Sequence, residues 1–66
     1  MLLKVIEVLS SSKKSWEDAA ANAVALASES VRGIRSVNIQ NQSAIVEDGK
    51  IKEYRINCKI SFEIER

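Results

Sequence analysis

The sequence predicts an α+β fold: strand, helix, strand, strand, with a three-stranded antiparallel sheet covered on one face by a single helix, all 66 residues in one domain. Three observations predict it. Residues from Ile51 to Glu65 alternate with a period of two, residues between Ser15 and Gly33 carry an apolar stripe of period 3.6, and the turn dipeptide Asp48-Gly49 separates two alternating runs.

The first strand is expected over Leu3 to Leu9, with Ser10, Ser11 and Ser12 as a turn. Its parity is open: Ile6 and Val8 make one apolar face, while Leu3, Val5 and Leu9 flank Glu7 on the other. A strand apolar on both sides can bury one face in its own core and offer the other to a neighbouring subunit.

Ser15 stands three before Asp18, the spacing of a capping box, in which the hydroxyl takes an orphan helix N–H and the carboxylate reaches back. Trp16, Ala19, Ala20, Ala23, Val24, Ala27 and Val31 then fall on one stripe. Alanine dominates it, so a sheet can approach closely. Arg32 suits a helix C-terminus and Gly33 a left-handed cap, which predicts a helix from about Trp16 to Arg32. Leu26 is the one large apolar side chain off the stripe, open either to solvent or to another subunit.

From Ile34 to Val46 a second strand places Val37, Ile39 and Ile45 at odd positions, and Ser36, Asn38, Gln40 and Gln42 at even ones. A two-residue loop at Asp48-Gly49, or a four-residue loop from Glu47 to Lys50, pairs residues whose numbers sum to 97. That register sets Val37 opposite Ile60, Ile39 opposite Cys58, Asn38 opposite Lys59, Gln40 opposite Asn57 and Gln42 opposite Arg55. Apolar meets apolar and polar meets polar, which a one-residue slip would destroy. Near the tip, Val46 and Ile51 form an apolar pair on the otherwise polar face.

At about 3.3 Å per residue the last strand would span about 50 Å, whereas a compact chain of this length has a radius of gyration of about 11 Å. It must bend, or run out of its own subunit. A domain of this size buries only about 60% of its unfolded surface, and with no disulfide pair and no clear metal set the remaining staple is oligomerisation.

Ten basic and nine acidic residues leave a net charge of +1, without the excess that binding to nucleic-acid phosphates demands. No run of eighteen apolar residues and no signal-peptide pattern is present, so neither a membrane nor secretion is expected, and the cytoplasm is the expected compartment. The single Cys58 has no internal partner. The sequon Asn41-Gln42-Ser43 has meaning only in a secreted protein.

Histidine is absent, which removes the usual general base and the commonest metal ligand. Cys58 lies on the apolar parity of the last strand and reads as a buried, inert thiol. Gly33 and Gly49 serve a cap and a turn rather than a phosphate loop. An enzyme is not expected. Glu47, Asp48 and Glu53 gather oxygen ligands suited to a divalent cation such as calcium, or else form a solvated turn. Trp16 reads as core packing before ligand stacking. The outward sheet face, with Ser36, Asn38, Gln40, Gln42, Arg55, Asn57 and Lys59, is either a hydrated surface or the lining of an oligomer interior, where Arg55 could hold an anion.

Lys4-Val5-Ile6, the serine run, Ser15-Trp16-Glu17-Asp18-Ala19-Ala20, Lys52-Glu53-Tyr54-Arg55 and Ile60-Ser61-Phe62-Glu63 together resemble the dodecins over the whole chain. The resemblance implies a sheet partly wrapped around the helix and a homo-oligomer of twelve copies forming a hollow cubic shell. It also implies binding and storage of a flavin, riboflavin or FMN, stacked on a tryptophan of the second strand and hydrogen-bonded by a glutamine of the third. Ser36 and Arg55 stand at those two positions here, with Asn38 and Gln42 as neighbours. Weak or lost flavin binding is therefore expected, leaving another small ligand, a divalent cation, or a purely structural assembly.

Overall fold

The computed structural model describes residues 2–64, and Glu65, where the sequence ends its last strand, lies outside them. Strand β1 (Leu3–Ser12) is followed by helix α1 (Trp16–Ala27), strand β2 (Ile34–Glu47) and strand β3 (Lys50–Glu63). The three strands form one antiparallel sheet in the order β1-β3-β2. The α+β fold and the β-α-β-β order are as the sequence predicts.

β3 is central because its alternation is the cleanest. Ile56, Cys58 and Ile60 are buried, with Ala19 and Ala23 of α1 packed on them, and Ile6, Val8, Trp16, Ala20, Ala27 and Ile34 around the margin. The alanines let the helix sit close to the sheet. The parity of β1 resolves accordingly: Ile6 and Val8 turn toward the helix, while Leu3, Val5 and Leu9 are exposed on the outer face.

β1 runs three residues further than expected. Ser10, Ser11 and Ser12 pair with Ile56, Arg55 and Tyr54 instead of turning, because the helix start satisfies two of their hydroxyls: Ser10 Oγ donates to the Ala19 carbonyl at 2.8 Å and Ser12 Oγ to Asp18 Oδ2 at 2.6 Å. One arm of the capping box is formed, with the Asp18 amide donating to Ser15 Oγ at 2.9 Å. The Asp18 carboxylate engages Ser12 instead of reaching back.

The helix stops at Ala27, five residues early. Ser28 Oγ donates to the Ala25 carbonyl at 2.8 Å, and the next amides fold onto Leu26 and Ala27 in a tightened turn. Serine side chains compete for backbone groups in this way and so favour helix ends. Arg32 is thus outside the helix, and Gly33 (φ +73°) turns the chain into β2, its carbonyl accepting from the Glu63 amide at 2.9 Å.

The hairpin is a two-residue turn in which both Asp48 (φ 54°) and Gly49 (φ 75°) are left-handed, the arrangement that suits strand twist. The register summing to 97 holds for Ser36–Ser61, Val37–Ile60, Asn38–Lys59 and Ile39–Cys58, and again for Val46–Ile51 and Glu47–Lys50. Between them it does not. Gln40 stands out of the ladder as a bulge, so Asn41 meets Asn57, Gln42 meets Ile56, Ser43 meets Arg55, Ala44 meets Tyr54 and Ile45 meets Glu53. A bulge places two residues against one and reverses the faces beyond it. Ala44 therefore takes the helix side and Ile45 the outer side, contrary to the plain alternation. Val46 shares the face of Ala44 rather than the polar face, and is 63% exposed beyond the reach of the helix.

The protomer is long. Its extents are 51 × 19 × 13 Å with a radius of gyration of 13.4 Å, against about 11 Å for a compact chain of this length. Its accessible surface of 4986 Å² exceeds the roughly 4,200 Å² of a typical monomer of this mass. The long hairpin carries the excess.

Candidate functional site

The outer face of the sheet has no helix upon it. Cross-strand rows on that face read Ser11, Arg55, Ser43; then Leu9, Asn57, Asn41; then Glu7, Lys59, Asn38; then Val5, Ser61, Ser36. The face is thus mixed along β1, where Val5 and Leu9 alternate with Glu7 and Ser11, and polar along β3 and β2. The rows of Arg55 and Asn57 surround a depression of about 330 Å³.

Three features define it. Arg55 sits between two serines, and its side chain is 57% exposed. Its Nε lies 3.6 Å from Glu53 Oε1, too far for a hydrogen bond. Asn57, in the middle strand, has a buried side-chain carbonyl oxygen with no hydrogen-bond partner among the described residues. Such an atom gives up water without recompense, at a cost of about 1–3 kcal/mol.

Ser36 is on the same face, its hydroxyl sharing a short hydrogen bond with that of Ser61. However, Ser61 and Arg55 are six residues apart on β3, about 20 Å along the strand. One protomer does not bring Ser36 and Arg55 together. Asn38 lies between, paired with Lys59. Gln42, expected opposite Arg55, is carried by the Gln40 bulge to the helix-side parity opposite Ile56. Asn41 and Ser43 take its place beside Arg55. The sequence gives no local signal for that exchange, since nothing in Gln40 itself demands a bulge.

The hairpin carboxylates are engaged separately: Glu47 Oε1 accepts from Lys52 Nζ at 2.6 Å, and Glu53 faces Arg55. Among the described residues no three acidic, cysteine or histidine side chains gather at metal-binding distance. Cys58 is fully buried against the helix, and burial raises its thiol pKa. Trp16 packs edge-on to Tyr54, ring centroids 4.8 Å apart, and its indole N–H donates to the Ser43 carbonyl at 2.9 Å. That bond fixes the helix start to the strand that carries Ser43. No helix is long and apolar enough to cross a membrane among the described residues.

A β-α-β-β module whose three-stranded antiparallel sheet carries one helix and leaves its other face open defines a class of small α+β modules. The chain belongs to the dodecin family, whose family model matches residues 2–65. It is 39% identical over 61 residues to the calcium dodecin of Mycobacterium tuberculosis (strain ATCC 25618 / H37Rv), covering 92% of this chain and 86% of that one. The crystal structure of calcium dodecin from Mycobacterium tuberculosis, a calcium-chelating immunodominant antigen with a novel calcium-binding site, is similar at a TM-score of 0.83 and 41% identity, covering 98% of this chain and 93% of the other. Dodecin from Streptomyces coelicolor is similar at a TM-score of 0.93 with 26% identity, again over 98% and 93%.

Proposed function

We propose that this protein binds and stores a small ligand as a hollow homododecamer, with the ligand held on the outer sheet face around Arg55 and the Ser36 of a neighbouring copy. The observation that carries the reading is the open outer face. Leu3, Val5 and Leu9 are 51%, 55% and 78% exposed there, beside a polar depression lined by an arginine and by an asparagine whose amide oxygen is buried without a partner among the described residues. Three exposed aliphatic side chains on one face of a strand, broken only by Glu7, suit an interface between copies, and the polar strip beside them suits a ligand. The reading is one of binding without turnover, and it places the protein in the cytoplasm.

Flavin is a poor fit. With a serine hydroxyl in place of an aromatic ring at position 36, the stacking contribution of about 0.5–1.5 kcal/mol beyond buried area is gone. The ligand is therefore a different small molecule.

Native mass spectrometry of protein purified gently from its host tests the reading. Twelve copies of 7.3 kDa give about 88 kDa, as a closed symmetric assembly requires. That peak with reproducible added mass supports a storage shell. A bare dodecamer overturns storage and leaves a structural assembly, and a monomer overturns both.

A second reading, a shell that binds divalent cations, is favoured by one observation: the identity to calcium dodecin, at 39% and 41%, exceeds the 26% to the Streptomyces protein. Glu47, Asp48 and Glu53 are then the ligands, drawn from the hairpins of more than one copy, since one copy commits Glu47 to Lys52. Stoichiometric calcium in protein purified without chelator would establish it, and its loss in Glu53→Gln would place the site.

A further inference from the structure

We infer that the depression around Arg55 and Asn57 selects small elongated monoanions that carry a hydroxyl or N–H donor at the end opposite the charge. This rests on the reading of the outer face as ligand-binding and specifies the chemistry of the ligand.

The geometry sets two poles. At one pole the Arg55 guanidinium, between the hydroxyls of Ser11 and Ser43, makes no hydrogen bond among the described residues, and its only close carboxylate is Glu53 at 3.6 Å from Nε. Its two terminal nitrogens form a fork suited to a carboxylate, with serine hydroxyls on both sides to complete the anion's shell. At the other pole Asn57 carries the unpartnered carbonyl oxygen, with Asn41 beside it. An acceptor covered without a partner is relieved by a donor, and a turn of the amide brings it to one.

Arg55 and Asn57 are neighbours on one face of β3, their Cα atoms about 7 Å apart. A ligand reaching both is one that separates its charge from its donor on that scale. Beside Asn57 the wall is apolar, since Leu9 stands next to it on β1; Ile56 lies between the two poles in sequence but turns its side chain into the core. The body of the ligand is therefore flat or aliphatic rather than polar. At about 330 Å³ the space is at the lower limit of small-molecule sites, too small for a ring system with a long polar tail to lie wholly within. An isolated divalent cation is disfavoured at this spot, because the charged side chain among its lining residues, Arg55, is positive.

4-Hydroxybenzoate has the required shape, and benzoate and phenol each lack one pole. Isothermal titration of the assembled protein with the three probes is expected to give 4-hydroxybenzoate at least about tenfold tighter than either, one satisfied hydrogen bond being worth about that factor. Arg55→Gln should erase the advantage over phenol, and Asn57→Leu the advantage over benzoate, each with the assembly mass unchanged. Equal binding of all three probes overturns the inference, as does binding that survives both substitutions. If Asn57→Leu instead breaks the assembly, a neighbouring copy meets that oxygen and the inference is wrong. If the probes fail while the purified protein carries a reproducible adduct, the two-pole chemistry is wrong and the storage reading stands.

Discussion

Trp16 donates its indole N–H to the backbone carbonyl of Ser43, 27 residues further along the chain, at 2.9 Å. The bond ties the first turn of the helix to β2 just beyond the bulge, where the strand has changed faces. The edge-on contact with Tyr54 holds the same ring from the side. Removing only the donor, in Trp16→Phe, should cost about 1 kcal/mol, and Trp16→Ala about 3 kcal/mol, the low end of the range for a large aromatic because the ring is half-buried. Urea unfolding followed by circular dichroism measures both. A loss in Trp16→Phe as large as in Trp16→Ala would show that the hydrogen bond, not the ring, does the holding.

Gly33 and Gly49 both adopt positive φ; a Cβ at Gly33 would make an ordinary contact with the Glu63 carbonyl at 3.4 Å, and at Gly49 it would meet open space. Left-handed backbone costs a residue with a Cβ roughly 1–2 kcal/mol. Gly33→Ala and Gly49→Ala should therefore each lower the melting temperature by several degrees, and by similar amounts at the same protein concentration. A much larger loss in Gly33→Ala would mean that Glu63 has no room for the added carbon.

Burial raises the Cys58 thiol pKa, so the folded state favours the neutral thiol more than the unfolded chain does. The stability linked to this group is present below the unfolded value of about 8.5 and is lost as pH rises through the higher folded value. Between pH 8 and 10.5 the wild type should lose stability more steeply than Cys58→Ala. Thiol-specific reagents at pH 8 should label Cys58 only in denaturant. Fast native labelling would mean that the sheet opens over the helix.

Wild-type protein should bind riboflavin more weakly than about 10 μM, and Ser36→Trp should tighten it at least tenfold by restoring a stacking surface. Quenching of flavin fluorescence reads both. Submicromolar affinity in the wild type would show that the ring is held by something other than position 36.

Val5 is 55% exposed on the outer face of β1 and makes no part of the helix-side core. Val5→Asp should leave the circular dichroism of the folded chain in place while dividing the assembly into smaller species on size-exclusion chromatography. An unchanged assembly would put the interface elsewhere on the protomer.

The fold was legible because each element carries its own periodic signal: Ile56, Cys58 and Ile60 for the central strand, the alanine stripe for the helix, Asp48-Gly49 for the turn. What escaped was decided by partners distant in sequence. Ser10 and Ser12 read as a turn until the helix start supplies acceptors for their hydroxyls. The helix end was overextended because Val31 keeps the stripe going while the serines before it have already drawn the backbone away. The outer face was half legible: the placing of Arg55 and Asn57 on it followed from β3 alone, but their neighbours on β2 depended on one extra residue at Gln40. Alternation cannot register such an insertion, because polar residues at 40, 41, 42 and 43 satisfy either parity equally well.

The 51 Å length of the protomer has a thermodynamic consequence. In the proposed assembly, a chain with this much apolar surface uncovered derives part of its stability from the copy that lies against it, and that part obeys mass action. Its melting temperature is then not one number but a curve that climbs with concentration, and dilution acts on it as a denaturant does.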